Sequence, residues 1–290
     1  MKLITFMTQG YPAAGYIDGN DAVVCVTGEA ALHAVLKVVT EGQQAIEQWA
    51  EKSDASRIPL ASVTLLAPIP EPQRDIFCVG KNYYAHAAEF HSSGFDSSGK
   101  EEVPSAPVIF TKATTSVVGP DVEVLGSLDY TNSVDYEGEL AVVIGRRAFQ
   151  VSKANAMDYV FGYVIVNDVT SRELQRKHNQ WVIGKGLDTF CPMGPYLVTA
   201  DEVPDVGALE LETRINGETR QKALVADLIF DIPTLIETMS QTMTLLPGDI
   251  IATGTPVGVG IGFKPPRYLK AGDLMEVSIS GLGQLANRVA

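Results

Sequence analysis

Apolar residues along this chain come in short, strand-sized runs broken by glycine, proline and acidic turns, with helical spacing in only a few places. Residues 3–6 and 22–26 look like strands, and Gly10, Gly15 and Asp18-Gly19 between them are turn signals. Over residues 28–52 the period changes. Leu32, Val35, Leu36 and Val39 recur at helical spacing, followed by a second apolar set of Ala45, Ile46 and Trp49. Ala67-Pro68-Ile69-Pro70-Glu71-Pro72 then places proline at every second position, which stiffens the chain into an extended segment and marks a boundary. The pattern predicts a small N-terminal α+β accessory domain over residues 1–72 and a larger domain over residues 73–290.

Beyond the boundary, strand signals dominate: residues 75–80, 107–111, 137–145, 159–168, 194–199 and 209–216 are all short β-rich runs. Asn216-Gly217 between two such runs predicts a tight hairpin. Asp231 is placed to cap a helix with Pro233 in its first turn, and Ile232, Leu235, Ile236, Met239 and Met243 then share a face. Pro247-Gly248-Asp249 and Ala271-Gly272-Asp273 are turns ahead of two further strands, framing a glycine-proline loop over residues 254–266. The fold class expected is α+β, largely β, with a closed or strongly coiled core.

Composition sharpens this picture. The chain has 290 residues, 46% hydrophobic and 20% charged, the balance of a globular protein with a full core. A net charge of -13 excludes a general nucleic-acid or anionic-membrane binder as the expected class. Cys25, Cys78 and Cys191 are far apart and form no metal-binding pair, which fits a reducing compartment. No secretory leader is visible and no apolar run approaches the ~18 residues of a membrane span, so a cytoplasmic, soluble protein is expected.

Candidate chemistry is densest at Asp135-Tyr136-Glu137-Gly138-Glu139-Leu140. Alternation along a strand puts Glu137, Glu139, Ala141 and Val143 on one face and Leu140, Val142 and Ile144 on the other. Both faces are apolar further along, so the strand is expected to be buried on both sides. Two neighbouring carboxylates raise each other's pKa unless a cation intervenes. On this stretch alone two exposed surface acids would read the same, but Asp168, ending the apolar run 161–167, adds a third carboxylate. Such an all-oxygen set suits Mg²⁺, Mn²⁺ or Ca²⁺.

His86 and Glu89 are three apart, which on a helix brings a carboxylate to an imidazole, as a general base requires; a surface pair has the same spacing. The polar segment 91–100, with Phe95 inside it, is either a lid or an insertion. Lys112 and the glycine-flanked Lys185 supply positive charge, and Thr253-Gly254-Thr255-Pro256 offers hydroxyls and backbone N–H groups. Arg172 and Arg176 read as a solvated helix face, His178 and Trp181 as surface loop, and Cys78 as core.

Together, Gly80-Lys81-Asn82-Tyr83 with His86 and Glu89, Asp135-Tyr136-Glu137-Gly138-Glu139-Leu140, Asn167-Asp168, Lys185-Gly186-Leu187-Asp188-Thr189-Phe190 and Thr253-Gly254-Thr255-Pro256 resemble the fumarylacetoacetate hydrolase superfamily over residues 73–290. The resemblance implies a mixed β-sandwich roll, a homodimer, and Mg²⁺ or Mn²⁺ (with Ca²⁺ as a substitute) on Glu137, Glu139 and Asp168. It also implies a His86–Glu89 dyad on a lid, Lys185 in the pocket, and Tyr83, Lys112, Gly254 and Thr255 at the substrate. The activity it implies first is C–C hydrolysis of an acylpyruvate, a 2-oxo acid with a further carbonyl. The dyad would activate water and the metal would stabilise the departing enolate. Decarboxylation, hydration and keto–enol or double-bond isomerisation are implied as alternatives on the same platform, with a non-catalytic binding member ranked lower.

Overall fold

The computed structural model describes residues 1–51, 55–95 and 101–290. Its backbone is a 12-stranded sheet whose main path runs Arg57–Pro59, Asp21–Thr27, Tyr11–Asp18, Lys2–Thr8, Cys191–Thr199, Val160–Asn167, Gly138–Ile144, Ile250–Ala252, Ile76–Gly80 and Val108–Lys112. A second sheet of four strands, ordered Glu218–Leu224, Glu210–Ile215, Leu274–Ile279 and Gly283–Arg288, packs against one face. The fold is α+β and largely sheet.

Gly138–Ile144 is the strand that organises the core. It pairs antiparallel with Val160–Asn167 on one side and with Ile250–Ala252 on the other. Leu140, Val142 and Ile144 pack with Leu211, Val277 and Ile279 of the second sheet and with Leu235 and Ile236 of the helix Ile232–Ser240. Ala141 and Val143 face the opposite way, into a cluster with Val35, Val39 and Trp49. Every residue of this strand is buried, as its two apolar faces predict. Polar side chains at its start are therefore forced into the interior.

The N-terminal segment shares this architecture. Lys2–Thr8 pairs antiparallel with Cys191–Thr199, so the strands of residues 1–72 extend the large sheet. Its helices Ala34–Glu41 and Gln43–Ala50 match the two apolar sets and are separated at Gly42, where φ is 69°. One expectation fails here: Tyr11–Asp18 is a strand, not a string of turns. Gly15 sits within it, at a register shift against Asp21–Thr27, where a Cβ would fall 1.7 Å from the Val23 carbonyl oxygen. That glycine marks a bulge and a close backbone approach, which in sequence looks the same as a turn.

Local signals elsewhere correspond to observed elements. Asn216 and Gly217 have φ of 51° and 80° and join two antiparallel strands of the second sheet. The Asp231 carboxylate accepts the Thr234 N–H at 2.9 Å and caps its helix, which ends at Ser240, leaving Met243 beyond it but still against the core.

Candidate metal centre and active site

The backbone itself brings the three carboxylates together. The Glu137 N–H donates to Asn167 Oδ1 at 3.0 Å, and the Asp168 N–H donates to the Glu137 carbonyl at 2.8 Å, which ties the start of one core strand to the end of its neighbour. Glu139, one residue into the strand, is paired across from Val166. One carboxylate oxygen each from Glu137, Glu139 and Asp168 then lies within 4.8 Å of the others, and all three residues are buried.

Positive charge is unevenly distributed over this cluster. Lys185 Nζ donates to Glu137 Oε2 and to Asp168 Oδ2, both at 2.7 Å. Lys112 Nζ donates to Asp168 Oδ1 at 2.7 Å and to the backbone carbonyls of Val169 and Lys185. Arg172 Nη1 lies 2.6 Å from Glu137 Oε1, and its Nε lies 2.8 Å from Asp135 Oδ2. Burial works to raise the Glu137 carboxyl, but Lys185 and then Arg172 outweigh it and hold it down at about 2. Glu139 is held by the Gly254 N–H at 2.8 Å rather than by an ammonium or guanidinium group. Burial, then the carboxylates of Asp168 and Glu137, push its carboxyl well above the usual range.

These residues fit a hard divalent cation. The donors are all oxygen, among the described residues one of the three lacks a direct cationic partner, and the ligand oxygens are gathered within 4.8 Å of one another. Around an ion at about 2.1 Å, ligand oxygens stand roughly 3–4.2 Å apart. Lys185 already occupies the oxygens of two of the three.

The second half of the site is the helix Tyr84–Ser93, which follows the strand Ile76–Gly80. His86 is buried on it, and its Nδ1 lies 3.1 Å from Glu89 Oε2. The Glu89 carboxylate also accepts the Gly258 N–H at 3.1 and 3.2 Å. Gly262 passes so close that a Cβ there would fall 1.9 Å from Glu89 Oε1. Glu89 thus fixes the imidazole while the loop fixes Glu89. His86, Glu137, Arg172, Gln175, Lys185 and Thr255 line one cavity of ≈ 10 Å³, about the space of a single water. Phe90 and Trp181 wall it.

Not every expected residue faces this cavity. Lys112 is fully buried behind Asp168, and the Gly254 N–H is taken by Glu139. Thr255 does line it, but its hydroxyl is engaged, donating to the Gly138 carbonyl at 3.0 Å and accepting from Gln221 Nε2 at 2.7 Å. Tyr83 lines a neighbouring cavity of ≈ 470 Å³ with Tyr84 and Val257, its phenol pushed up by burial and then by Glu139. The end of the expected lid segment, residues 96–100, lies outside the described residues.

Two residues were misread from sequence. Arg172 is fully buried on the helix Arg172–Lys177, not on a solvated face, because its carboxylate partners Asp135 and Glu137 come from a distant segment; Arg176, on the same helix, is exposed. Trp181 is buried edge-on against Phe90 and Phe110, not in a surface loop, and a Cβ on Gly80 would fall 2.4 Å from its ring. Neither position carries a signal in local spacing. The buried thiols of Cys78 and Cys191 are pushed up, Cys191 to about 12, so neither offers a thiolate.

Residues 75–290 match the family model described as fumarylacetoacetate (FAA) hydrolase C-terminal. The chain belongs to the fumarylacetoacetate hydrolase family. Members of this family include enzymes with tautomerase, isomerase and hydrolase names. The chain is similar to the oxaloacetate tautomerase YisK of Bacillus subtilis, 47% identical over 87% of this chain and 83% of that one. A fumarylacetoacetate hydrolase structure from Exiguobacterium antarcticum is 40% identical, with a TM-score of 0.84 over 100% of this chain and 99% of that one. A maleylpyruvate hydrolase from Sphingobium, in complex with manganese and pyruvate, is 32% identical with a TM-score of 0.79 over 100% and 99% of the two chains. Among the described residues, no helix is long and apolar enough to cross a membrane.

Proposed function

We propose that this protein is a divalent-metal-dependent enzyme that moves a proton at the carbon next to the keto group of a small 2-oxo acid, interconverting keto and enol forms of an oxaloacetate-like substrate. The observation that carries this reading is that a carboxylate-held imidazole, His86, lines the same cavity as Glu137 of the carboxylate triad and as Lys185. Mg²⁺ or Mn²⁺ held by Glu137, Glu139 and Asp168 would supply Lewis-acid polarisation of the 2-oxo group. In the keto-to-enol direction His86 takes the proton from carbon, Glu89 stabilises the resulting imidazolium through Nδ1, and the imidazolium then hands the same proton to the enolate oxygen; the reverse direction retraces the two transfers. Lys185 places a positive charge where negative charge develops on the substrate oxygens. Phe90 and Trp181 exclude bulk water from that exchange.

C–C hydrolysis of an acylpyruvate, preferred from the sequence, stands as the second reading. The His86–Glu89 dyad favours it, being equally suited to deprotonating water, and so does the similarity to a maleylpyruvate hydrolase. Identity of 47% to a tautomerase puts it second. The test is to supply Mg²⁺- or Mn²⁺-loaded protein with the enol form of oxaloacetate and with acetylpyruvate. Faster decay of the enol absorbance with the four-carbon skeleton intact supports the first reading. Release of pyruvate and acetate from acetylpyruvate, with no effect on enol decay, replaces it with the second.

A further inference from the structure

The two halves of the site, the His86 helix and the carboxylate cluster, are joined through one buried carboxylate. Four donors converge on Asp135, which is fully buried. Its Oδ1 accepts the Tyr136 N–H at 2.9 Å and the Gly260 N–H at 2.6 Å. Its Oδ2 accepts the Ile261 N–H at 3.1 Å and Arg172 Nε at 2.8 Å. Arg172 in turn grips Glu137, while the loop carrying Gly260 and Ile261 grips Glu89 through Gly258 N–H. Val259 and Ile261 of that loop are packed with Phe90 of the His86 helix. Gly260 is fitted to this contact, since a Cβ there would fall 2.6 Å from Asp135 Oδ1 and 2.5 Å from the Arg267 carbonyl.

We propose that Asp135 is a positioning residue that couples seating of the His86–Glu89 helix to the placement of Glu137 in the carboxylate cluster. The physical basis is that a buried carboxylate with four donors holds each of them in one geometry, and an amide in its place would turn a donor toward donors. The chain of contacts runs from His86 through Glu89, the 258–261 backbone, Asp135 and Arg172 to Glu137, so a change at either end is felt at the other. The inference rests on the functional reading above only in taking both ends to be used in one reaction.

Two measurements test it apart from turnover. Mn²⁺ titration of the wild type and of Asp135→Asn should show affinity weakened by roughly 10- to 100-fold, the size expected for partners that orient ligands. Equal affinity overturns the proposal. In the unmodified protein, adding Mg²⁺ should slow amide hydrogen exchange at Gly258, Gly260 and Ile261, and unchanged exchange overturns it even where the variant fails to fold. If turnover is found, Asp135→Asn and Glu89→Gln should combine to less than the product of their separate losses, whereas a full product counts against coupling. Protein that shows the metal-linked exchange but turns over no 2-oxo acid rejects the functional reading and supports the coupling.

Discussion

Lys185 Nζ lies 2.7 Å from Asp168 Oδ2, on the carboxylate whose other oxygen is taken by Lys112. The same ammonium reaches Glu137, so a lysine and a divalent ion would compete for the same two carboxylates. Replacing Lys185 with methionine removes the competitor and leaves buried carboxylates less compensated. Breaking a buried pair costs about 3–5 kcal/mol; the lower end is expected here because Lys112 and Arg172 remain. The metal-free variant should therefore melt lower, and Mn²⁺ should bind on the order of tenfold tighter. Calorimetric titration checks this, and weaker binding would assign Lys185 to holding the ligands in place rather than opposing the ion.

Glu139 gives the site a pH dependence with a definite sign. Its folded carboxyl is raised above the ordinary 4.5, so its proton stabilises the metal-free fold below pH 4.5, and that contribution is lost as pH rises through the raised value. Glu137 is opposite: held at about 2, it adds stability above pH 4.5 that disappears only as pH falls through about 2. A metal ligand must be deprotonated, so binding expels the Glu139 proton and affinity should rise with pH across that window. Titrations in buffers of different ionisation enthalpy should register net proton release at mildly acidic pH. An unchanged heat across buffers would contradict the raised carboxyl.

His86→Ala should lower turnover by roughly 10²- to 10⁴-fold and weaken Mn²⁺ binding less than Asp135→Asn does, because the imidazole is a base and not a ligand and Glu89 keeps its own hold on Gly258. Glu89→Gln should produce a smaller loss of the same kind. Loss of metal binding in His86→Ala would remove the division of labour between helix and carboxylates.

Gly262→Ala tests the seating of the dyad without touching either member. The new methyl group would meet Glu89 Oε1 at 1.9 Å, so the carboxylate must leave its place beside His86 or the loop must retreat. A misplacement of about 1 Å is enough for a 10²-fold loss of rate. Steady-state kinetics should show that loss with a melting temperature close to wild type, and full activity would mean the dyad tolerates displacement.

Legibility in the sequence followed the range of the interaction. The run 138–144 shows two apolar faces, which is why its double burial could be read directly, whereas the burial of Glu139 at its start became legible only with Asp168 as a third carboxylate. His86 and Glu89 are three apart on one helix, and local spacing finds them. Arg172 was invisible for the opposite reason: it is buried by Asp135 and Glu137, more than thirty residues away, while its own neighbours Glu173 and Arg176 look like solvated surface. Gly15 and Trp181 were misread likewise, since the Val23 carbonyl and the Phe90 and Phe110 rings that define them lie on other elements.

Strand order also sets a timetable for biosynthesis. Ile250–Ala252 lies between Gly138–Ile144 and Ile76–Gly80, so the strand leading to the His86 helix is joined to the carboxylate strand only through three residues made late in translation. In Lys2–Thr8, made first, the Lys2–Leu3 end waits for Cys191–Thr199, while Phe6 and Met7 are paired earlier by Thr64–Leu65. A ribosome-bound chain stalled before residue 250 would hold both halves of the chemistry without the strand that sets them in register. Pairings this distant in sequence form slowly and leave apolar edges exposed meanwhile, so the topology puts the greatest aggregation hazard before residue 250 is made.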